Sequence, residues 1–123
     1  MTMSHVILVV DDDATVRSVA RSVLERDGYT VLEAADGAHA LVMCEAFGST
    51  PDLILTDIMM PDVDGGQLID ELSREGKTPR VLMMSGYADE SVLQSIGKLD
   101  TPFLQKPFTI EELSRSVRQV LGI

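Results

Sequence analysis

Aliphatic residues in this chain fall into short runs that alternate with amphipathic stretches. Val6-Ile7-Leu8-Val9-Val10 has the length and β-branched content of a strand buried on both faces. Val16, Val19, Ala20, Val23 and Leu24 then recur at helical spacing, with Arg17, Arg21, Glu25 and Arg26 between them. Asp13 is placed to cap this helix and Gly28 to stop it. Thr30-Val31-Leu32-Glu33-Ala34 reads as a second strand. Asp36 opens a second helix ending at Gly48, whose buried face is expected to carry Ala38, Leu41, Val42 and Phe47, with His39 on the solvated side.

The run Leu53-Ile54-Leu55-Thr56, bounded by Pro51-Asp52 and by Pro61, reads as a third strand. A helix follows from Gly65 with Leu68, Ile69 and Leu72 inward, closed by Gly76. Val81-Leu82-Met83-Met84 is a fourth strand ending at Ser85-Gly86-Tyr87. A weaker helix is expected from about Asp89 to Lys98, where Gly97 costs roughly 1 kcal/mol against Ala. Pro102-Phe103-Leu104-Gln105 is a fifth strand, ending at Lys106-Pro107. Thr109-Ile110-Glu111-Glu112 is a capping box that starts a last helix with Leu113, Val117, Val120 and Leu121 on one face.

Strand and helix alternate five times with short links and no repeat or linker, so residues 1–123 read as a single α/β domain. The expected architecture is a five-stranded parallel sheet with helices on both faces. Periodicity does not supply the strand order; a flavodoxin-like doubly wound order of 2-1-3-4-5 is inferred, and it places strands one and three side by side where the order reverses. In such sheets ligands bind outside the carboxyl ends of the strands. Those ends carry Asp11-Asp12-Asp13, Asp57, Ser85 and Lys106.

Three consecutive carboxylates after a buried strand repel one another unless a cation sits among them. Asp11, Asp12 and Asp57 form an oxygen-only set suited to Mg²⁺ or Mn²⁺ with several waters retained, and the Met59 backbone carbonyl would complete it. A metal, a lysine, a hydroxyl and a central carboxylate make a phosphoryl-handling set. Asp57 is the candidate nucleophile, forming an acyl phosphate, with Ser85 donating to a phosphoryl oxygen. No phosphate-binding Gly loop or dinucleotide fingerprint is present: Gly65-Gly66 lacks the spacing.

Composition narrows the partners. A net charge of −10, from 10 basic and 20 acidic residues, argues against direct nucleic-acid binding. The single cysteine, Cys44, excludes an internal disulfide, fits a reducing compartment and lies in a helical pattern as a buried thiol. No run reaches transmembrane length and Met1-Thr2-Met3-Ser4-His5 is not a signal peptide, so a cytoplasmic domain is expected.

The chain resembles, over its whole length, the receiver domain of a two-component response regulator. The matching residues are Asp11-Asp12, Asp57 within Thr56-Asp57-Ile58-Met59-Met60-Pro61-Asp62-Val63-Asp64-Gly65, Ser85-Gly86, and Lys106-Pro107-Phe108. The resemblance implies phosphorylation of Asp57 by a histidine kinase or histidine phosphotransfer protein, with bound Mg²⁺. It implies phosphoryl contacts from Ser85 and Lys106, and a cis Lys106-Pro107 peptide. It places the family's aromatic switch on Phe103, and the output surface on the fourth helix, fifth strand and fifth helix, where Glu90, Gln94, Lys98, Arg115 and Arg118 lie. Ser85-Gly86-Tyr87 and Phe103-Leu104-Gln105-Lys106-Pro107-Phe108 look most like receivers at the C-terminus of hybrid sensor histidine kinases. No output domain is expected in this chain, which would be a stand-alone phosphorelay carrier or a module of a longer protein. A monomer or weak dimer is expected. The domain would catalyse only its own phosphorylation and dephosphorylation, at a rate set by Met59 and Tyr87. An alternative class arises because Asp11-Asp12-Asp13-Ala14-Thr15 also resembles the Asp-x-Asp-x-Thr of haloacid dehalogenase phosphatases, with Asp11 as nucleophile and Asp13 as acid/base.

Overall fold

A computed structural model describes residues 4–47, 50–60, 63–86, 97 and 101–123 of the chain. The five strands are β1 (Val6–Val10), β2 (Thr30–Ala34), β3 (Leu53–Asp57), β4 (Arg80–Ser85) and β5 (Phe103–Gln105). The described helices are α1 (Ala14–Arg26), α2 (Gly37–Phe47), α3 (Gly65–Arg74) and α4 (Ile110–Leu121). The strands form one parallel sheet in the order β2-β1-β3-β4-β5, so the order reverses between β1 and β3. The stretch expected to be helical from Asp89 to Lys98, with Glu90, Gln94 and Lys98 on it, lies outside the described residues apart from Gly97.

Strand alternation divides the core. Ile7, Val9, Leu53, Leu55, Leu82 and Met84 point to one face, where α1 and α4 cover them with Ala20, Val23, Leu24, Leu113, Val117 and Leu121. Leu8, Val10 and Ile54 point to the other, against Ala40, Cys44, Leu68 and Leu72 of α2 and α3. β3 is buried at all five positions, which explains the apolar run Leu53-Ile54-Leu55 and brings Thr56 and Asp57 into a buried setting at its end.

Helix ends follow local chemistry. The Asp13 carboxylate accepts from the Thr15 and Val16 amides at the start of α1. Asp64 with Gln67, and Thr109 with Glu112, form capping boxes on α3 and α4.

Helix α2 departs from expectation. Gly37, Ala40 and Cys44 are buried, whereas Ala38 is exposed and Val42 is 61% exposed; Leu41 is half-buried. The helix is apolar on nearly every side, so periodicity selects no face, and the small residues go inward. They let the helix lie close to the sheet and to the β3–α3 loop. A Cβ at Gly37 would stand 2.5 Å from the Val63 carbonyl oxygen and 2.7 Å from its Cβ. In α1, Val19 is 48% exposed although it lies on the apolar stripe.

Candidate functional site

The β1–β3 pairing puts Val10 beside Thr56, so the next residues, Asp11 and Asp57, leave the sheet side by side at the reversal point. Asp11 is fully buried and Asp57 is 7% exposed, while Asp12 is exposed. One carboxylate oxygen from each of the three lies within 4.8 Å of the others. An octahedral Mg²⁺ with bonds of about 2.1 Å spaces its donors by roughly 3–4 Å, so a small contraction fits these oxygens to such an ion. The donors are all hard oxygens and the exposed Asp12 side leaves room for water ligands. Three carboxylates against one local ammonium fit a divalent cation.

Both carboxylate oxygens of Asp57 are engaged. The Met59 amide donates to its Oδ1 at 3.2 Å and the Lys106 ammonium to its Oδ2 at 3.1 Å. Lys106 also donates to Asp11 Oδ2 at 2.6 Å, and the Asp13 amide to Asp11 Oδ1 at 2.8 Å. Burial pushes the Asp57 carboxyl above its ordinary range; the Lys106 hydrogen bond and charge oppose this, and Asp11 adds to it. Burial also pulls the Lys106 ammonium down, but its bonds to Asp11 and Asp57 outweigh that and hold it above its ordinary value.

The loop after β3 is shaped for close approach. The Gly65 amide donates to the Ile58 carbonyl at 3.1 Å, and a Cβ on Gly65 would stand 2.6 Å from the Asp57 carbonyl oxygen. Met59, two residues past Asp57, is 60% exposed. Ser85 is buried at the end of β4, and its carbonyl accepts from the Lys106 amide at 2.9 Å, which aligns the start of the lysine loop. The Lys106–Pro107 peptide is cis. Phe103 stands at the far end of β5, half-buried against Ile58 and Met83, one layer below the carboxylates. Tyr87 lies outside the described residues.

Asp13 is turned away from this group and caps α1. A phosphatase using Asp11 as nucleophile and Asp13 as acid/base is therefore not supported. Asp11 has no exposed surface, and Asp13's oxygen is engaged with the helix amides.

One residue that the sequence did not single out borders the site. Arg17 Nη1 donates to the Asp11 carbonyl oxygen at 2.6 Å, and its Nε lies 3.4 Å from Glu33 Oε1. A charged residue among apolar helical positions reads as solvated, and nothing in the local spacing signals that it folds back onto β1.

Comparison with known proteins agrees with this geometry. The sequence pattern of the family described as response regulator receiver domain matches residues 7–118. The chain is 34% identical over 119 residues to the sensor kinase CckA of Brucella abortus, covering 96% of this chain and 13% of that protein. It is 39% identical over 122 residues to the response regulator MprA of Mycobacterium ulcerans, covering 97% of this chain and 51% of that one. It thus spans 13% of the first of these two relatives and about half of the second. The solved receiver domain from the hybrid histidine kinase CckA superposes with a TM-score of 0.78 at 39% identity, covering 94% of this chain and 98% of that one. Receiver domains of two-component systems interact with histidine kinases or phosphotransfer proteins and bind Mg²⁺ at an acidic pocket, and this chain carries such a pocket where its strand order reverses. Fold, site and sequence pattern thus coincide, and the chain belongs to the response regulator receiver domains, the phosphoacceptor modules of two-component signalling.

Proposed function

We propose that Asp57 is the phosphoacceptor. Asp11, Asp12 and the Met59 carbonyl would hold Mg²⁺, with Lys106 and Ser85 as phosphoryl contacts. The observation that carries this reading is the place of the Asp57 carboxylate, shared between the three-carboxylate cluster and the Lys106 ammonium 3.1 Å away. A carboxylate oxygen of Asp57 attacks the phosphorus of a phosphohistidine in line; the P–N bond breaks and the imidazole leaves with the electron pair. Mg²⁺, when bound, neutralises charge on the phosphoryl oxygens. Lys106 stays charged at neutral pH, because its two carboxylates hold the proton on, and supplies the second cation.

In this reading residues 1–123 work as one cytoplasmic receiver unit that turns over no external substrate. The likeness to CckA supports a hybrid-kinase or phosphorelay setting, with a histidine kinase or histidine phosphotransfer protein as donor. The response would pass through Phe103 to the surface formed by β5 and α4, where Arg115 and Arg118 are exposed.

The test is intact-mass analysis after incubation with a small acyl phosphate and Mg²⁺, wild type beside Asp57→Asn. One added phosphoryl group, dependent on metal and absent from the variant, is the expected result. No adduct in wild type, or an adduct that persists in Asp57→Asn, defeats the proposal.

A further inference from the structure

We infer that Arg17 is a positioning residue for the cation site, fixing the peptide plane between Asp11 and Asp12, the two carboxylates that follow β1, and that Glu33 holds Arg17 in that pose. The inference rests on the reading of Asp11, Asp12 and Asp57 as a cation site. Arg17 lies on α1, yet its side chain is only 18% exposed, because the guanidinium turns back over the end of β1. Its Nη1 donates to the Asp11 carbonyl oxygen at 2.6 Å. That oxygen belongs to the Asp11–Asp12 peptide, whose planarity ties it rigidly to the Cα of Asp12. Anchoring the carbonyl therefore fixes the direction in which Asp12 leaves the strand.

The two acids differ in how they are held. Every polar atom of Asp11 has a partner: its amide donates to the Ala34 carbonyl at 3.2 Å, its carbonyl accepts from Arg17, and its carboxylate accepts from the Asp13 amide and Lys106. The Asp12 side chain is exposed and has no hydrogen-bond or ion-pair partner among the described residues. Its position depends on its main chain, which the Arg17 side chain holds at the Asp11 carbonyl and the hydrogen bond from the Asp13 amide to the Asp11 carboxylate holds on the other side.

Glu33, on β2, supports the anchor. Its carboxylate lies 3.4 Å from Arg17 Nε and 2.7 Å from Arg21 Nη1, and Arg21 Nε in turn lies 3.3 Å from Glu25. Arg17 is thus neutralised on the side away from the pocket. Its charge opposes an incoming cation less than a bare guanidinium would, while its geometry keeps Asp12 in place. Anchoring and repulsion predict opposite signs when the head group is removed.

The experiment measures Mn²⁺ binding to the full chain, from the signal of free Mn²⁺ by electron paramagnetic resonance, in wild type, Arg17→Met, Arg17→Lys and Glu33→Gln. Arg17→Met keeps the apolar stem and should weaken Mn²⁺ about tenfold, the low end for loss of an outer-shell support. Arg17→Lys and Glu33→Gln should weaken it less, since each keeps part of the anchor. Phosphorylation of Arg17→Met by a small acyl phosphate should need more Mg²⁺ but recover its rate at saturating Mg²⁺. An unchanged or tighter Mn²⁺ affinity in a folded Arg17→Met overturns the inference, even if its melting temperature falls, because that is the mark of a purely structural residue. If Arg17→Met does not fold, unchanged affinity in both Arg17→Lys and Glu33→Gln overturns it instead. Wild type failing to bind Mn²⁺ overturns the cation-site reading itself, which separates the two failures.

Discussion

Lys106 donates to Asp11 across 2.6 Å, joining residues 95 apart in sequence at the point where the sheet order reverses. Asp11 has no exposed surface, so this ammonium is the cation that compensates a carboxylate cut off from water. Lys106→Met removes it and leaves a buried charge unpaired. The expected loss is about 3 kcal/mol at neutral pH without metal, read from urea unfolding. The proton on Lys106 is favoured by folding, so its contribution is fully present below its ordinary value of 10.5 and is lost as pH rises through the raised one. The gap between wild type and Lys106→Met should therefore narrow in alkali. A gap that stays constant to high alkaline pH would remove the electrostatic explanation.

Asp57 also prefers its proton in the folded state, but there the protonated form is the neutral one. Burial raises its pKa, so the folded state favours the neutral carboxyl; stability is greatest at acid pH and declines as pH rises through the raised value. Asn mimics the neutral form. Asp57→Asn should thus be more stable than wild type at pH 7, by on the order of 1 kcal/mol, and the difference should close below the ordinary carboxylate range. Thermal melts across pH without metal provide the check. An Asn variant less stable than wild type at pH 7 would show that the Lys106 bond outweighs burial.

Site and scaffold differed in how far they could be read in advance. The ends of β1, β3, β4 and β5 are visible because greasy runs stop abruptly at Asp11, Asp57, Ser85 and Lys106, and the caps at Asp13 and Thr109 obey strictly local chemistry. The inward face of α2 is not visible: with apolar residues on nearly every side, the helix turns Gly37, Ala40 and Cys44 inward, and at Gly37 the Val63 backbone leaves no space for a side chain. Arg17 is hidden for another reason. Its partners are a carbonyl just past β1 and a carboxylate on β2, and only the β1–β2 pairing brings Asp11 and Glu33 within reach of one side chain.

The close approach at Gly37 gives a test that separates space from backbone freedom. Its Cβ would meet a backbone oxygen at 2.5 Å, which a side-chain rotation does not relieve. Gly37→Ala must push α2 away from Val63 and strain the loop between Asp57 and Gly65, at a cost of about 1–3 kcal/mol. At Gly86, which unlike Gly37 is exposed, nothing lies within 4 Å of an added Cβ. Gly86→Ala should therefore change stability by less than about 0.5 kcal/mol. Equal effects of the two substitutions in chemical denaturation would refute the steric account.

Loss of the phosphoryl group requires a water in line with the Asp57–phosphorus bond, entering past the side chain two residues on. That side chain is Met59, 60% exposed, whose thioether is a weak acceptor and holds a water poorly. Under the proposed reading its bulk would hinder the approach without aiding the attack. Asn at this position supplies a carbonyl oxygen that orients a water and an amide that donates to a phosphoryl oxygen. Met59→Asn should accordingly shorten the phosphate lifetime severalfold, while phosphorylation by a small acyl phosphate remains Mg²⁺-dependent. Removing donor and metal from phosphorylated protein and following the adduct by intact mass measures the decay directly. Met59→Leu is the control: it keeps the bulk and adds no polar atom, so it should decay at the wild-type rate. If Asn and Leu decay alike, the lifetime is set elsewhere in the site and the thioether at Met59 has no part in it.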